Sequence, residues 1–85
     1  MDTTAEAITR WCQEYIAGLL GTAPEAIDPD TDFDNLGVDS ALAVSLLVEV
    51  EERYDVDLPP EALFENPTLR AIAAHLHAQI SARVA

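Results

Sequence analysis

The sequence predicts an all-α fold: a small four-helix bundle of three main amphipathic helices and one short helix, with a long loop between the first two. Three segments place apolar side chains at the helical period of 3.6 residues, over about residues 4–20, 40–54 and 69–80. No segment shows the alternation of apolar and polar residues that is typical of a strand. Because 85 residues suffice for one modest core, we expect a single domain over residues 1–85, ordered over about residues 4–80.

The first predicted helix begins at a capping motif and ends at a glycine. Thr3 and Glu6 have the spacing of a capping box, in which the two side chains accept hydrogen bonds from each other's backbone N–H groups. Gly21 follows the last apolar residue and is the residue type that most often ends a helix. The apolar stripe comprises Ile8, Trp11, Cys12, Tyr15, Ile16, Leu19 and Leu20. Cys12 is the only cysteine, so we expect no disulfide within the chain. Because it lies in the apolar stripe, we expect its thiol to be buried.

The segment over residues 22–39 lacks helical periodicity and is predicted to be a long loop. We expect Ile27, Phe33 and Leu36 to anchor it to the core. Its aspartates at positions 28, 30 and 32 match the opening of an EF-hand calcium loop, which also needs Gly at its sixth position and Glu at its twelfth. Phe33 and Asp39 occupy those positions, so no metal site is predicted, although weak binding of divalent ions stays open.

Residues 36–40 (LGVDS) connect this acidic loop to the second helix. We expect Ser40 in the first helical turn, Asp39 as its N-cap, and Gly37 at a sharp turn that other residues adopt with difficulty. An anionic group on the Ser40 hydroxyl would meet unpaired backbone N–H groups and the positive end of the helix dipole. The pattern therefore predicts that Ser40 is exposed and is modified by another enzyme.

The second helix, over residues 40–54, is predicted to have a core face and a docking face. The core face comprises Leu42, Ala43, Leu46, Leu47, Val50 and Tyr54. The opposite face comprises Ala41, Val44, Ser45, Val48, Glu49, Glu51 and Glu52. Small apolar residues beside carboxylates are typical of a protein-docking surface. Isolated exposed valines also occur on ordinary surfaces, but the alignment of Ala41, Val44 and Val48 behind Ser40 favours docking.

Two consecutive prolines, at positions 59 and 60, prevent the second helix from continuing. Residues 60–64 are predicted to form the short helix, with Leu58, Leu63 and Phe64 turned inward. Asn66 and Pro67 have the order of a cap followed by proline at the first helical position, which predicts the start of the last helix. Its apolar stripe comprises Leu69, Ile72, Ala73, Leu76 and Ile80.

Charge excludes some classes of partner. Sixteen acidic residues and four arginines give a net charge of -12. Nucleic acids and anionic membranes attract positive charge, so neither is an expected partner. The charge favours proteins with basic docking patches. The chain has no signal-peptide pattern and no apolar run of membrane-spanning length, so we expect a cytoplasmic protein. We also expect a monomer.

The chain resembles the acyl carrier protein family. The likeness is carried by residues 32–40 (DFDNLGVDS), 43–44 (AV), Leu46, 58–59 (LP), 64–68 (FENPT) and 72–76 (IAAHL). The resemblance implies that a phosphopantetheinyl transferase attaches 4′-phosphopantetheine covalently to Ser40, and that Asp39 supports this modification. It also implies a non-catalytic carrier of acyl thioesters. The implied partners are that transferase, an acyltransferase or ligase, and the ketosynthase or condensation enzymes of a pathway.

The motifs also bear on the subclass. The residues at the serine resemble acyl carriers more than peptidyl carriers, and the FENPT segment resembles carriers of polyketide and nonribosomal systems. We therefore expect polyketide or hybrid polyketide/nonribosomal biosynthesis, with a peptidyl or aminoacyl carrier as the alternative. The family usually has Leu directly after the serine, where this chain has Ala41, which indicates a specialised set of partners.

Three other functions stay open on the sequence. The first is an acidic interaction module that carries no arm. The second is a calcium sensor built on the aspartate loop. The third is a hydrolase, which the lack of a Gly-x-Ser-x-Gly elbow around Ser40 disfavours.

Overall fold

The structure of this protein is a computed structural model that describes residues 3–84, without the side chain of Val84. Five α-helices occur in that range: α1 spans Ala5–Leu20, α2 spans Phe33–Leu36, α3 spans Ser40–Tyr54, α4 spans Glu61–Glu65 and α5 spans Leu69–Val84. A 3-10 turn spans Pro24–Ala26, and no strand occurs among the described residues. The predicted all-α bundle is confirmed. The segment predicted to be an irregular loop contains one further short helix, α2.

The N-cap of α1 is one residue later than predicted. Oγ1 of Thr4 accepts a hydrogen bond from the backbone N–H of Ala7 at 3.2 Å, and the backbone of Thr4 is extended, with ψ at 155°. The predicted capping box between Thr3 and Glu6 is therefore wrong. At the other end, α1 stops at Gly21 as predicted, because this residue takes the left-handed conformation with φ at 73°.

The start of α5 also differs from the prediction. Oγ1 of Thr68 accepts a hydrogen bond from the backbone N–H of Ala71 at 3.1 Å, so Thr68 caps this helix. Asn66 and Pro67 lie before it. Asn66 instead ends α4, since its backbone N–H and its side-chain Nδ2 donate to the carbonyl of Ala62 at 2.8 and 3.0 Å. At its other end, α5 continues past residue 80 to residue 84.

One face of each long helix forms the core. The largest fully buried side chains are Ile8, Cys12, Ile16, Leu46, Val50, Leu69, Ile72 and Leu76. All of them belong to the predicted apolar stripes. Leu19 and Leu20 depart from the stripe of α1, because their exposed fractions are 45% and 37%. These two leucines thus lie outside the core, whereas Ala17 before them is buried.

Apolar anchors hold the segment between α1 and α3 against the helices. Ile27 and Phe33 are buried and Leu36 is half-buried, as predicted. Val38, which the helical pattern did not identify, is also buried, with an exposed fraction of 4%. The backbone N–H of Phe33 donates to the carbonyl of Pro67 at 3.1 Å, which joins the start of α2 to the approach to α5. The segment that leads to Ser40 is therefore held both by its buried anchors and by this hydrogen bond.

Polar contacts strengthen this attachment. Nε2 of Gln13, on α1, donates to the carbonyl of Ile27 at 2.7 Å. Arg70, on α5, donates its backbone N–H to the carbonyl of Pro29 at 3.0 Å. Its guanidinium also forms an ion pair with Asp30 at 2.6 Å. Because these contacts reach α1 and α5, the position of the loop depends on the packing of the bundle.

Within the described range, no helix has the length and apolar character needed to cross a membrane.

Candidate functional site

Ser40 is the first residue of α3, and its side chain is exposed. Asp39 is the N-cap, with Oδ1 accepting a hydrogen bond from the backbone N–H of Leu42 at 2.9 Å. Gly37 ends α2 in the left-handed conformation, with φ at 84°, and donates its N–H to the carbonyl of Asp34 at 3.3 Å. A side chain at this φ would be strained. Turn, cap and hydroxyl therefore stand in the predicted order.

The start of α3 is a favourable place for negative charge. The first backbone N–H groups of an α-helix have no acceptor inside the helix. Asp39 satisfies that of Leu42, and the aligned peptide dipoles leave a partial positive charge at this end. A phosphate ester on the Ser40 oxygen would lie at that end, so the geometry suits an anionic substituent.

A groove of about 430 Å³ opens beside Ser40, between the start of α3, α2 and α4. Its lining residues are Asp32, Phe33, Asp34, Val38, Asp39, Ser40, Ala43, Val44, Pro60, Leu63, Phe64 and Pro67. Most of the lining is apolar, and its polar side chains are Ser40 and three aspartates of the acidic loop. The hydroxyl thus lies at an apolar surface with carboxylates around it.

Phe64, which the sequence analysis turns inward, is 87% exposed and lines this groove. The buried contact of α4 comes from Ala62, with an exposed fraction of 5%, and Leu63 is half-buried. Each helical residue turns the side chain by about 100°, so two residues after Ala62 the side chain points about 200° away. Phe64 therefore faces solvent, whereas Leu58, before α4, is buried as predicted.

The predicted docking face of α3 is exposed over most of its length. Val44 and Val48 have exposed fractions of 47% and 44%, and Ala41, Glu49 and Glu52 are exposed as well. Glu51 differs from the others because it is half-buried. Its Oε2 accepts a hydrogen bond from the backbone N–H of Leu58 at 3.1 Å, so Glu51 holds the chain that leads to α4.

The four arginines of the chain contact groups outside the groove. Arg10 contacts Glu14 and Glu25, Arg53 contacts the rings of Trp11 and Tyr54, Arg70 contacts Asp30, and Arg83 contacts the backbone carbonyls of Tyr54 and Asp55. Among the described residues, none of the groove's three aspartates forms an ion pair. The surface around Ser40 is therefore negatively charged.

Two of the three aspartates that match the opening of an EF-hand loop contact groups of the protein itself. Oδ1 of Asp28 accepts a hydrogen bond from the backbone N–H of Asp30 at 2.9 Å, and Asp30 pairs with Arg70. Within residues 3–84, no group of three or more His, Cys, Asp or Glu side chains is placed to hold a metal ion. The geometry gives the calcium-sensor hypothesis no support.

Neither histidine lies with Ser40 in the groove. Nδ1 of His77 is 2.9 Å from the carbonyl oxygen of Thr3, and Nε2 of His75 is 2.9 Å from Nε2 of Gln79. A serine hydrolase needs a base within hydrogen-bonding distance of its serine. The described residues do not bring such a base to Ser40, so the hydrolase hypothesis has no support either.

Burial raises the pKa values of Cys12 and Tyr15, which lie outside the groove. Burial raises the pKa of the Cys12 thiol to about 12. Burial, and to a smaller extent the negative charge of Glu49, raise the pKa of Tyr15. The thiol that the chain itself carries is therefore protonated at neutral pH and sealed in the core, as predicted for Cys12.

Known proteins are similar to this chain in sequence and in fold. The protein family described as "Phosphopantetheine attachment site" matches residues 10–76. The chain is 39% identical over 80 residues to the 5-methyl-1-naphthoate synthase of Streptomyces sahachiroi, and the match covers 94% of this chain and 4% of that protein. It is 33% identical over 76 residues to the acyl carrier protein TtuC of Teredinibacter turnerae, and that match covers 89% of this chain and 87% of TtuC.

Solved structures agree with these matches. A free-standing peptidyl carrier protein from Acinetobacter baumannii has a TM-score of 0.86 and 28% identity, with 93% of this chain and 99% of that chain covered. BlmI, a type-II acyl carrier protein of Streptomyces verticillus involved in bleomycin biosynthesis, has a TM-score of 0.78 and 30% identity, with 89% of each chain covered.

The matched region is therefore a small part of the synthase, but most of TtuC and of the free-standing peptidyl carrier protein. The family match extends over more than half of the chain and includes the acidic loop, Ser40 and α3. This chain belongs to the phosphopantetheine attachment site family of carrier proteins, which hold 4′-phosphopantetheine covalently on a serine.

Proposed function

We propose that this protein is an acyl carrier protein that carries acyl groups on a 4′-phosphopantetheine arm at Ser40, in polyketide or hybrid polyketide/nonribosomal biosynthesis. The observation that carries the proposal is the exposed hydroxyl of Ser40 at the first residue of α3. The pathway is supported by 37% identity over 70 residues to the phenolphthiocerol synthesis polyketide synthase Pks15/1 of Mycobacterium bovis, a match that covers 82% of this chain and 3% of that protein. A peptidyl or aminoacyl carrier is the second candidate, because a free-standing peptidyl carrier has the same fold at a TM-score of 0.86.

The residues around Ser40 fit the arm. Ser40 supplies the oxygen of the phosphodiester, and the N-terminus of α3 stabilises the negative charge. Gly37 and Asp39 determine where that oxygen lies, because the first sets the turn and the second caps the helix. When bound, the group supplies a terminal thiol that carries acyl groups as thioesters.

A separate phosphopantetheinyl transferase performs the attachment in this proposal. Oγ of Ser40 bonds to the coenzyme A phosphorus nearer to pantetheine, and the pyrophosphate bond of coenzyme A breaks. Adenosine 3′,5′-bisphosphate leaves, and the hydroxyl proton passes to a base of the transferase. Asp39 supports this step from the position before Ser40. The carrier contributes the nucleophile and its position, and it catalyses no step.

The partners bind the exposed face of α3 in this proposal. Ala41, Val44 and Val48 provide apolar contact, and Glu49 and Glu52 provide the charged rim. The partner enzymes are the transferase, an acyltransferase or ligase, and a ketosynthase or condensation enzyme, each with a basic patch. A tethered substrate then reaches a high effective concentration at each active site. Monomeric state and cytoplasmic location stay predictions.

Co-expression with a broad-specificity phosphopantetheinyl transferase tests the proposal, with intact mass spectrometry as the readout. The wild-type protein is expected to gain the mass of one phosphopantetheinyl group, and Ser40→Ala none. Ser81→Ala, at an exposed serine of α5, is the matched control and should be modified like the wild type. A wild-type chain that stays unmodified with several transferases would contradict the proposal and favour an interaction module without an arm.

A further inference from the structure

Phe64 is the most exposed of the large apolar side chains in the described range, at 87%, and Val44 follows at 47%. We propose that Phe64 is a docking anchor: its ring enters an apolar pocket, bordered by lysine or arginine side chains, on the enzyme that acts at Ser40. The inference rests on the proposed function. It extends the docking surface from α3 to α4 and specifies the chemistry of the partner's surface.

The ring of Phe64 is not needed to hold α4 in place. Ala62 provides the buried contact, and Leu63 is half-buried against the core. The helix end is closed by two hydrogen bonds from Asn66 to the carbonyl of Ala62, at 2.8 and 3.0 Å. Truncation of Phe64 should therefore leave the bundle folded. Aromatic side chains that contribute to binding rather than to folding are the usual anchors of protein interfaces.

The position of Phe64 places it inside the area that such an enzyme covers. Phe64, Val44 and Ser40 line the same groove of about 430 Å³. An active site that contacts Oγ of Ser40 must approach over this groove, so its surface meets the ring at the same time. Val44 from α3 and Phe64 from α4 then form one apolar contact beside the reacting hydroxyl.

Charge selects the kind of surface that fits. Asp32, Asp34 and Asp39 line the groove, and within residues 3–84 none of them pairs with an arginine. Glu61 and Glu65, the first and last residues of α4, are exposed beside Phe64. A partner pocket with a basic rim complements this arrangement, whereas an anionic lipid surface would be repelled. The occupant is thus a basic protein surface with an apolar centre.

Kinetics of Ser40 modification by a phosphopantetheinyl transferase test the anchor, with coenzyme A saturating and intact mass as the readout. In Phe64→Ala, KM for the carrier should rise about 30-fold at nearly unchanged kcat, which corresponds to about 2 kcal/mol at about 1.4 kcal/mol per tenfold. Phe64→Tyr should stay near the wild-type KM. Leu19→Ala, which truncates a 45% exposed side chain outside the groove, is the matched control and should not change KM.

Three results would overturn the anchor while the proposed function stands, because in each the wild type is modified. One is an equal KM for Phe64→Ala and wild type. Another is an equal rise in KM for Leu19→Ala. The last is an unchanged KM for Phe64→Ala combined with faster hydrolysis of the thioester once the arm is attached and loaded. That result would show that the ring covers the protein's own arm. Failure of the wild type to be modified at all would instead contradict the proposed function.

Discussion

Substitution of Asp39 separates two roles of the carboxylate that precedes Ser40. Asp39 accepts a hydrogen bond from the N–H of Leu42 at 2.9 Å and so caps α3. In the proposed function, its charge also supports modification of Ser40. Asn retains a capping oxygen but no charge, and Ala retains neither. We therefore expect Asp39→Asn to slow modification and to lose less stability than Asp39→Ala, which should impair both.

The magnitudes follow from the cap geometry. Loss of an N-cap side chain costs about 1 kcal/mol in the free energy of unfolding, within a range of about 0.5–2 kcal/mol. Loss of a negative charge at the helix N-terminus costs a further amount of about 0.3–1 kcal/mol. Asp39→Ala should thus lose about 1–2 kcal/mol, and Asp39→Asn no more than about 1 kcal/mol. In a domain of this size, each kcal/mol lowers the melting temperature by about 4–8 °C.

Thermal unfolding by circular dichroism and the initial rate of Ser40 modification give the two readouts. Asp57→Asn, at an exposed aspartate whose carboxylate has no hydrogen bond in the described range, controls for the loss of one negative charge. The reasoning would be refuted if Asp39→Asn lowered the melting temperature as much as Asp39→Ala. A wild-type rate of modification in Asp39→Asn would refute the role of the charge.

Three further predictions concern the bundle as a whole. Leu46→Ala, at a fully buried position of α3, should lower the free energy of unfolding in urea by about 2–5 kcal/mol. Val48→Ala, at a 44% exposed position of the same helix, should lower it by less than about 0.5 kcal/mol. Equal losses would mean that the faces of α3 are wrongly assigned. Because burial raises the pKa of Cys12 from 9.0 to about 12, the unfolded chain loses the thiol proton first as pH rises. The stabilisation is complete below pH 9 and should decline between pH 9 and 12, by up to about 1.4 kcal/mol per pH unit; urea midpoints across this range should fall less steeply in Cys12→Ala. With a net charge of -12, the melting temperature should rise as sodium chloride increases from about 0.01 M to about 1 M, because the Debye length falls from about 30 to about 3 Å and self-repulsion is screened. Millimolar magnesium should also raise it. No change with either salt would indicate that the acids are already compensated locally.

The region around Ser40 was predicted well because its signals are local. The predicted bounds of α3, residues 40–54, agree with the structure, as do the cap at Asp39 and the turn at Gly37. A cap is decided by hydrogen bonds within three residues, and a fifteen-residue helix contains enough turns to define its buried face. The core residues of α3 followed from the same periodicity.

Short segments were predicted less well because they contain too few turns to define a face. Phe64 was assigned to the core with Leu63, but the five residues of α4 are oriented by the packing of Ala62, and Phe64 is left outside. The start of α5 was assigned to Asn66, although Asn66 bonds backward to α4 and Thr68 caps α5. In both cases a contact between elements outweighed the local pattern.

Local sequence patterns predict the all-α class, the place of α3 and the hydroxyl at its first residue, since each depends on interactions between residues close in the chain. The surroundings of that hydroxyl, by contrast, depend on how the helices pack. The groove joins residues from the acidic loop, α3, α4 and Pro67, and the loop is held by Gln13 and Arg70 from two other helices. These contacts join residues far apart in sequence, so they exist only once the bundle has packed.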